Sequence, residues 1–359
     1  MTLTYGEEEQ YNRHLILEEI GLTGQEKLKQ SSVLVVGAGG LGCPVLQYLT
    51  ASGVGTIGII DDDLVSQSNL QRQVLYTHQD LGKHKAECAA NRLSALNPYV
   101  KFQVFKERLS PKNAIALFNL FDIIVDGTDN FPTRYLINDA AVLTNTPFVF
   151  GSIFKFEGQV SVFNYNNGPT YRCLFPTPPK PDSVPNCSDI GVLGVLPGII
   201  GSFQANEVIK IICGIGNLLS GKLLTINTLT MQQRILNYSK EGNTVISALQ
   251  DNYDTFCGIE TRAEITLKEL KTYQHNYTLL DVRTPLEREH FNLGGLHIPL
   301  QELDRRYKEI TTNKDIIVYC KAGMRSQMAI HILREKGLKN NLINLGFFIN
   351  NLEFQFINL

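Results

Sequence analysis

With 359 residues, 43% hydrophobic and 19% charged, and a formal net charge of −2, the chain has the balance of an ordinary globular protein long enough for two domains. That balance excludes the basic footprint of a nucleic-acid binder, and no apolar run approaches the ~20 uninterrupted residues of a membrane-spanning helix. The acidic start MTLTYGEEEQ has no apolar leader segment, and seven scattered cysteines do not form a disulfide framework; cytoplasmic residence is the expectation.

Residues 7–21 carry apolar Leu15, Ile16 and Ile20 at helical spacing and read as one amphipathic helix. Strands and helices then alternate: strand 33–37, helix 41–52, strand 56–61, helix 83–96, strand 101–105, helix 111–119, strand 122–126, helix 132–144, strand 147–151. That alternation predicts an α/β fold, a Rossmann-like and mostly parallel sheet with helices on both faces. From 154 the sequence FKFEGQVSVFNY switches to a two-residue period, the mark of an antiparallel extension. A proline-rich loop comes next, with Pro169, Pro176, Pro178, Pro179, Pro181 and Pro185. The apolar stretch 192–214 then predicts a buried helix, with strands near 222–230 and 233–238. Residues 239–262 lack a sustained period and read as a linker between a domain at 1–238 and one at 263–359. The second domain alternates again, around YTLLDVR, HIPL, DIIVYC and NLINLGF, as a small α/β unit.

Four apolar β-formers run into Gly37-x-Gly39-x-x-Gly42, the strand–turn–helix pattern that closes backbone N–H groups on a phosphate. By itself this pattern also fits a NAD-dependent oxidoreductase. The residues downstream of it favour a nucleotide whose phosphates react. Asp61 ends the second strand, where it can accept from ribose hydroxyls; SNLQR stands at 68–72; Lys85 opens a helix; DGTDN ends the fourth strand at 126–130. Arg72 and Lys85 can neutralise phosphate oxygens and Asp129 can hold Mg²⁺, although Asp129 and Asn130 can equally cap the helix behind them. In a parallel α/β sheet all of these gather at the carboxyl ends of the strands.

These residues, together with RHLILEEIGLTGQEKL, GAGGLGCPVLQYL and GVLGVLPGIIGSFQANEVIK, resemble the MoeB/ThiF family of sulfur-carrier adenylyltransferases over about 7–238. The resemblance implies ATP-dependent adenylylation of the Gly-Gly carboxylate of a small ubiquitin-like sulfur carrier. It places Gly40, Asp61, Ser68, Asn69, Leu70, Gln71, Arg72, Lys85, Asp129 and Asn130 around MgATP. It further implies a homodimer in which Arg13 reaches the nucleotide of the other subunit.

Cys320 ends a strand and opens the loop Cys320-Lys321-Ala322-Gly323-Met324-Arg325 before a helical pattern. A thiol at a helix N-terminus between two cations suits a persulfide anion. LLDVRTPLEREHFNLGGLHIPL and CKAGMRS resemble a rhodanese-like domain over about 264–358, which implies that Cys320 carries transferable sulfur, loaded by a donor such as a cysteine desulfurase. Asp281 and Arg283 are then structural or entrance residues. Cys187, in PNCSDIGVLG, matches by position a family cysteine that attacks the acyl-adenylate or links to the carrier; a nonessential loop thiol is the plain alternative. Cys43 and Cys213 read as packing residues and Cys88 as a residue of a polar helix face.

Members of the MoeB/ThiF family hold zinc with two Cys-x-x-Cys pairs, whereas the matching positions here are Thr170/Cys173 and Asp254/Cys257. With one cysteine of each pair missing, zinc is not expected. The resulting expectation is an adenylyltransferase and sulfurtransferase that serves molybdopterin, thiamine or a related sulfur-containing product, without contact with nucleic acid or membrane. A carrier-docking protein with a decayed site is the non-catalytic alternative.

Overall fold

A computed structural model describes residues 2–179, 191–240, 245–258, 264–265, 277–291, 293–320 and 323–345. Two compact units divide the chain, Met1–Ile259 and Glu260–Leu359. The first holds an eight-stranded sheet of β1 (Ser32–Val36), β2 (Thr56–Ile60), β3 (Lys101–Phe105), β4 (Ile123–Asp126), β5 (Phe148–Phe154), β6 (Glu157–Phe163), β7 (Lys222–Asn227) and β8 (Gln232–Asn237). Their order is β3-β2-β1-β4-β5-β6-β7-β8. Pairing is parallel from β3 to β5, then antiparallel from β5 to β8. The Rossmann-like sheet with an antiparallel extension is therefore the observed fold. Its central strands are continuous apolar runs because helices cover both faces; Val33, Leu34 and Val35 are fully buried.

The apolar stretch after the proline-rich loop is the helix Leu196–Cys213, opened by Pro197 and ended by Gly214 at φ +73°. Two of its polar residues, Gln204 and Glu207, are buried. Gln204 Nε2 donates to Asp126 O at 2.7 Å, and Glu207 accepts from the Leu219 N–H at 2.9 Å. A Cβ on Gly201 would overlap Pro44 and the Leu41 carbonyl, so glycine lets this helix press onto the helix Gly42–Ala51 behind the glycine loop.

At the N-terminus the single helix expected over 7–21 is three pieces, Tyr5–Gln10, Asn12–Leu15 and Gly21–Gln30. Ile16 and Leu17 are exposed rather than packed. The anchor is instead the buried Tyr11, whose hydroxyl accepts from Asn97 at 2.8 Å, while Glu7 caps the first piece and pairs with Lys29 at 2.8 Å. Polar anchoring of short helices has replaced a continuous apolar stripe. Within the stretch read as a linker, Tyr253 and Cys257 are buried in the first unit's core, with Leu249 and Phe256 packed against it.

The second unit is a five-stranded parallel sheet of β9 (Glu264–Ile265), β10 (Tyr277–Asp281), β11 (Leu296–His297), β12 (Asp315–Tyr319) and β13 (Leu342–Leu345), ordered β11-β10-β12-β13-β9. Leu280, Ile316, Val318, Ile330 and Leu333 are among its core residues. No helix of the described residues is long and apolar enough to cross a membrane.

Candidate functional site

The loop after β1 turns at Gly37, whose φ of +95° only glycine adopts readily. A Cβ on Gly42 would overlap the Gly37 carbonyl, so the first helical turn lies directly against that loop. Asp61, at the end of β2, spans the gap. Its Oδ2 accepts from the Ala38 N–H at 2.7 Å and its Oδ1 from the Asp63 N–H at 2.8 Å. Burial pushes the Asp61 carboxyl up from the usual range, against the opposing pull of the Lys85 charge and these N–H donors. Tyr76, buried and missed in the sequence, donates its hydroxyl to Ala38 O at 2.7 Å and lies 3.3 Å from Lys85 O.

Ser68 and Asn69 sit on a short 3₁₀ turn, Gln67–Asn69, that continues into Leu70. Ser68 O accepts from Arg72 Nη1 at 3.1 Å. A Cβ on Gly40 would stand 3.7 Å from Arg72 Cγ and 3.2 Å from Pro197, and one on Gly194 would overlap Gln71. The glycine loop, the SNLQR turn and the start of the helix Leu196–Cys213 thus meet. Lys85 is the first residue of the helix Lys85–Leu96, nearly buried, with its Nζ 2.7 Å from Asp63 Oδ2. Asp63 was not singled out in the sequence, although its place two residues after Asp61 was the available signal.

After β4, Asn130 caps the helix Phe131–Thr144 by accepting from the Thr133 N–H at 2.9 Å, while Asp129 is exposed and free of that duty. Capping therefore falls to Asn130. A Cβ on Gly127 would lie 2.9 Å from Gly37 O, which sets this turn against the glycine loop. Asp126 is fully buried; its Oδ1 accepts from Thr128 N–H and Oγ1 at 2.9 and 2.6 Å, and burial pushes its carboxyl up. Gly40, Asp61, the 68–72 turn, Lys85 and the 126–130 turn are so brought together at the carboxyl ends of β1, β2 and β4. Arg13 is exposed on Asn12–Leu15 and makes none of these contacts.

In the second unit Cys320 follows β12 directly and is buried, with Sγ 3.4 Å from Ser326 Oγ. Gly323, at φ +83°, starts the helix Met324–Glu335. Arg325, expected as a cation for the sulfur, is paired with Glu287 at 2.7 and 2.6 Å. That pairing and the Thr284 cap hold the Glu287 carboxyl down at about 2. Lys321 and Ala322 lie outside the described residues, as does Cys187. Asp281 and Arg283 form a buried two-point ion pair at 2.9 and 2.8 Å.

Cys43 and Cys213 are buried, and burial pushes the Cys43 thiol up to about 12. The family's zinc positions do not offer a fitting donor set. Thr170 hydrogen-bonds to Cys173 Sγ at 3.4 Å, Asp254 faces Arg108 at 3.6 Å, and burial pushes the Cys257 thiol up to about 11. The two segments are instead joined by buried polar contacts: Arg172 grips Asp139 at 2.7 and 2.8 Å, and Tyr253 donates to the same carboxylate at 2.7 Å.

Residues 11–245 match the ThiF family and residues 266–348 the rhodanese-like domain. Over 350 residues the chain is 41% identical to the probable adenylyltransferase/sulfurtransferase MoeZ of Mycobacterium tuberculosis, covering 92% of this chain and 89% of that one. It is 47% identical to the sulfur carrier protein adenylyltransferase of Thermus thermophilus, covering 72% of this chain and all of the relative. A 39% identity to the adenylyltransferase and sulfurtransferase MOCS3 of Xenopus laevis covers 92% and 82%. Escherichia coli MccB, in a crystal structure with MccA-N7isoASN, shares the fold at a TM-score of 0.60 and 22% identity, over 67% of this chain and 74% of MccB. The dinucleotide oxidoreductase and the non-catalytic docking protein both give way to an enzyme of the adenylyltransferase and sulfurtransferase type. This chain therefore belongs to the ThiF family and carries a rhodanese-like domain behind the ThiF domain.

Proposed function

We propose that the chain activates the C-terminal Gly-Gly carboxylate of a ubiquitin-like sulfur carrier with ATP and then converts it to a thiocarboxylate with sulfur carried on Cys320. The observation that supports this reading is the grouping of the 68–72 turn, Lys85 and the 126–130 turn around the glycine loop, on a chain that also has Cys320 between a strand and a helix.

A carboxylate is a poor electrophile. Its oxygen would attack the α-phosphorus of ATP, the α–β anhydride bond would break, and pyrophosphate would leave. Gly40 and its neighbours offer N–H groups and close approach, Asp61 suits ribose hydroxyls, and Arg72 and Lys85 offset charge on the departing pyrophosphate. Asp129, exposed on the turn after β4, is the residue that would hold Mg²⁺, which would supply further charge neutralisation. Ser68, Asn69, Leu70 and Gln71 shape the wall, Asn130 fixes the turn beside Asp129, and Arg13 serves the neighbouring subunit of a homodimer.

The terminal sulfur of a Cys320 persulfide would then attack the acyl carbonyl and expel AMP. A second thiolate would attack the Cys320 sulfur of that acyl disulfide, releasing thiocarboxylate and leaving a disulfide on Cys320 for a thiol reductant; Cys187 is the residue this reading assigns to resolving the intermediate. A cysteine desulfurase fits as the sulfur donor. Molybdopterin synthesis and thiamine synthesis are the pathway classes in which such a product is used.

The test is ATP–pyrophosphate exchange with purified ubiquitin-like proteins that end in Gly-Gly. Exchange that depends on one of them, and is lost in Arg72→Ala and Asp129→Ala, is expected. Absence of exchange with every such protein would overturn the reading.

A further inference from the structure

Lys85 occupies a position that folding alone does not favour. Its side chain is only 5% exposed, and it begins a helix, where the peptide dipoles repel a cation. Its ion-pair partner is Asp63, whose own side chain is 68% exposed and would be better hydrated in water. The backbone holds the pair together from both sides. Lys85 N–H donates to Asp63 O at 3.0 Å, Val65 N–H donates to Lys83 O at 2.8 Å, and Leu64 and His84 form an antiparallel bridge. Asp63 is tied in turn through its N–H to Asp61 at 2.8 Å, and Asp61 to the glycine loop at Ala38 at 2.7 Å. One continuous set of hydrogen bonds therefore runs from the phosphate loop to the ammonium.

We propose that Asp63 is a positioning residue for nucleotide chemistry: it holds the Lys85 ammonium by one of its three N–H donors and leaves two for anionic oxygens of the nucleotide. This inference rests on the adenylation reading. An ammonium on a four-carbon stem has many rotamers, and a carboxylate fixed through its own backbone on both sides removes most of them. Because Asp63 acts on how the ammonium is aimed, its effect falls on the chemical step rather than on affinity.

The experiment compares the unmodified chain, Asp63→Asn, Lys85→Met and the double variant in ATP–pyrophosphate exchange. The probe is the Gly-Gly-ended ubiquitin-like protein that supports exchange in the unmodified chain. Asp63→Asn should lower kcat by about tenfold or more, the loss of one charge-assisted hydrogen bond, with KM for ATP within about threefold. The double variant should be no slower than Lys85→Met, because Asp63 acts only through Lys85. An unchanged kcat, a loss confined to KM, or losses that multiply in the double variant would overturn the proposal while the adenylation reading stood. An unmodified chain that fails to exchange overturns both.

Discussion

Arg325 and Glu287 form a two-point ion pair, 2.7 and 2.6 Å, that ties the first turn of the helix Met324–Glu335 to the start of the helix Pro285–His290. The same carboxylate accepts from Thr284 N–H and Oγ1 at 3.0 Å, so it caps one helix while it grips the first turn of another. The Arg325 pairing, more than the cap, lowers Glu287 to about 2.

A group whose folded value lies below its unfolded one, near 4.3 for glutamate, stabilises the fold above that unfolded value and loses its contribution as pH falls towards about 2. The second unit should therefore lose thermal stability between about pH 5 and pH 2. Glu287→Gln should unfold at a lower temperature near neutrality and show a flatter pH dependence across that window. Thermal unfolding of the full chain at several pH values reads both, and identical slopes for the two proteins would refute the assignment.

Asp139 is 1% exposed and accepts from Arg172 and Tyr253 at once. Asp139→Asn leaves the buried guanidinium without its counter-charge and should destabilise the first unit by about 3–5 kcal/mol. Tyr253→Phe removes one hydrogen bond to a charged acceptor and should cost about 1.5–3 kcal/mol. Denaturant midpoints measure both. Metal analysis of the purified protein should find no stoichiometric zinc, since these contacts already join the segments; one zinc per chain would contradict that.

Cys320→Ala should abolish sulfur transfer from thiosulfate or a persulfide donor while ATP–pyrophosphate exchange continues at its normal rate. Loss of both activities together would mean that Cys320 is not confined to the sulfur step.

Gly42 and Gly198 should respond oppositely to alanine. At Gly42 the new Cβ would overlap the Gly37 carbonyl, so the phosphate loop must shift and MgATP binding, read by calorimetry, should fall more than tenfold. At Gly198 nothing lies within 4 Å and the residue is inside a helix, so alanine should be tolerated and stabilise by about 0.5–1 kcal/mol. Equal effects at the two sites would contradict the close packing described for the loop.

The candidate site was legible in the sequence where chemistry and local structure share residues. Gly37, Gly42, Asp61 and Lys85 lie at strand ends or helix starts, and a parallel sheet brings such ends together whatever the details. Partners were much less legible. Arg325 read as a free cation because Glu287 is 38 residues away, and Tyr76 carried no motif although it joins Ala38 to the Lys85 turn. The N-terminal segment misled for a related reason: its apolar spacing suited a helix, but Tyr11 and Glu7 found polar anchors at Asn97 and Lys29 that periodicity does not encode.

By itself the sequence determined the α/β alternation and the antiparallel extension, and it supplied the sets of residues proposed to hold a nucleotide and a transferable sulfur. These derive from short-range periodicity and from motifs whose members are neighbours along the chain. Tertiary structure alone decided how the charges are matched: Asp63 on Lys85, Glu287 on Arg325, and Asp139 shared by Arg172 and Tyr253. Ion pairs form between side chains that folding brings together from distant or differently shaped segments, and the free energy of a buried charge depends on that partner rather than on the residue's own neighbours in sequence.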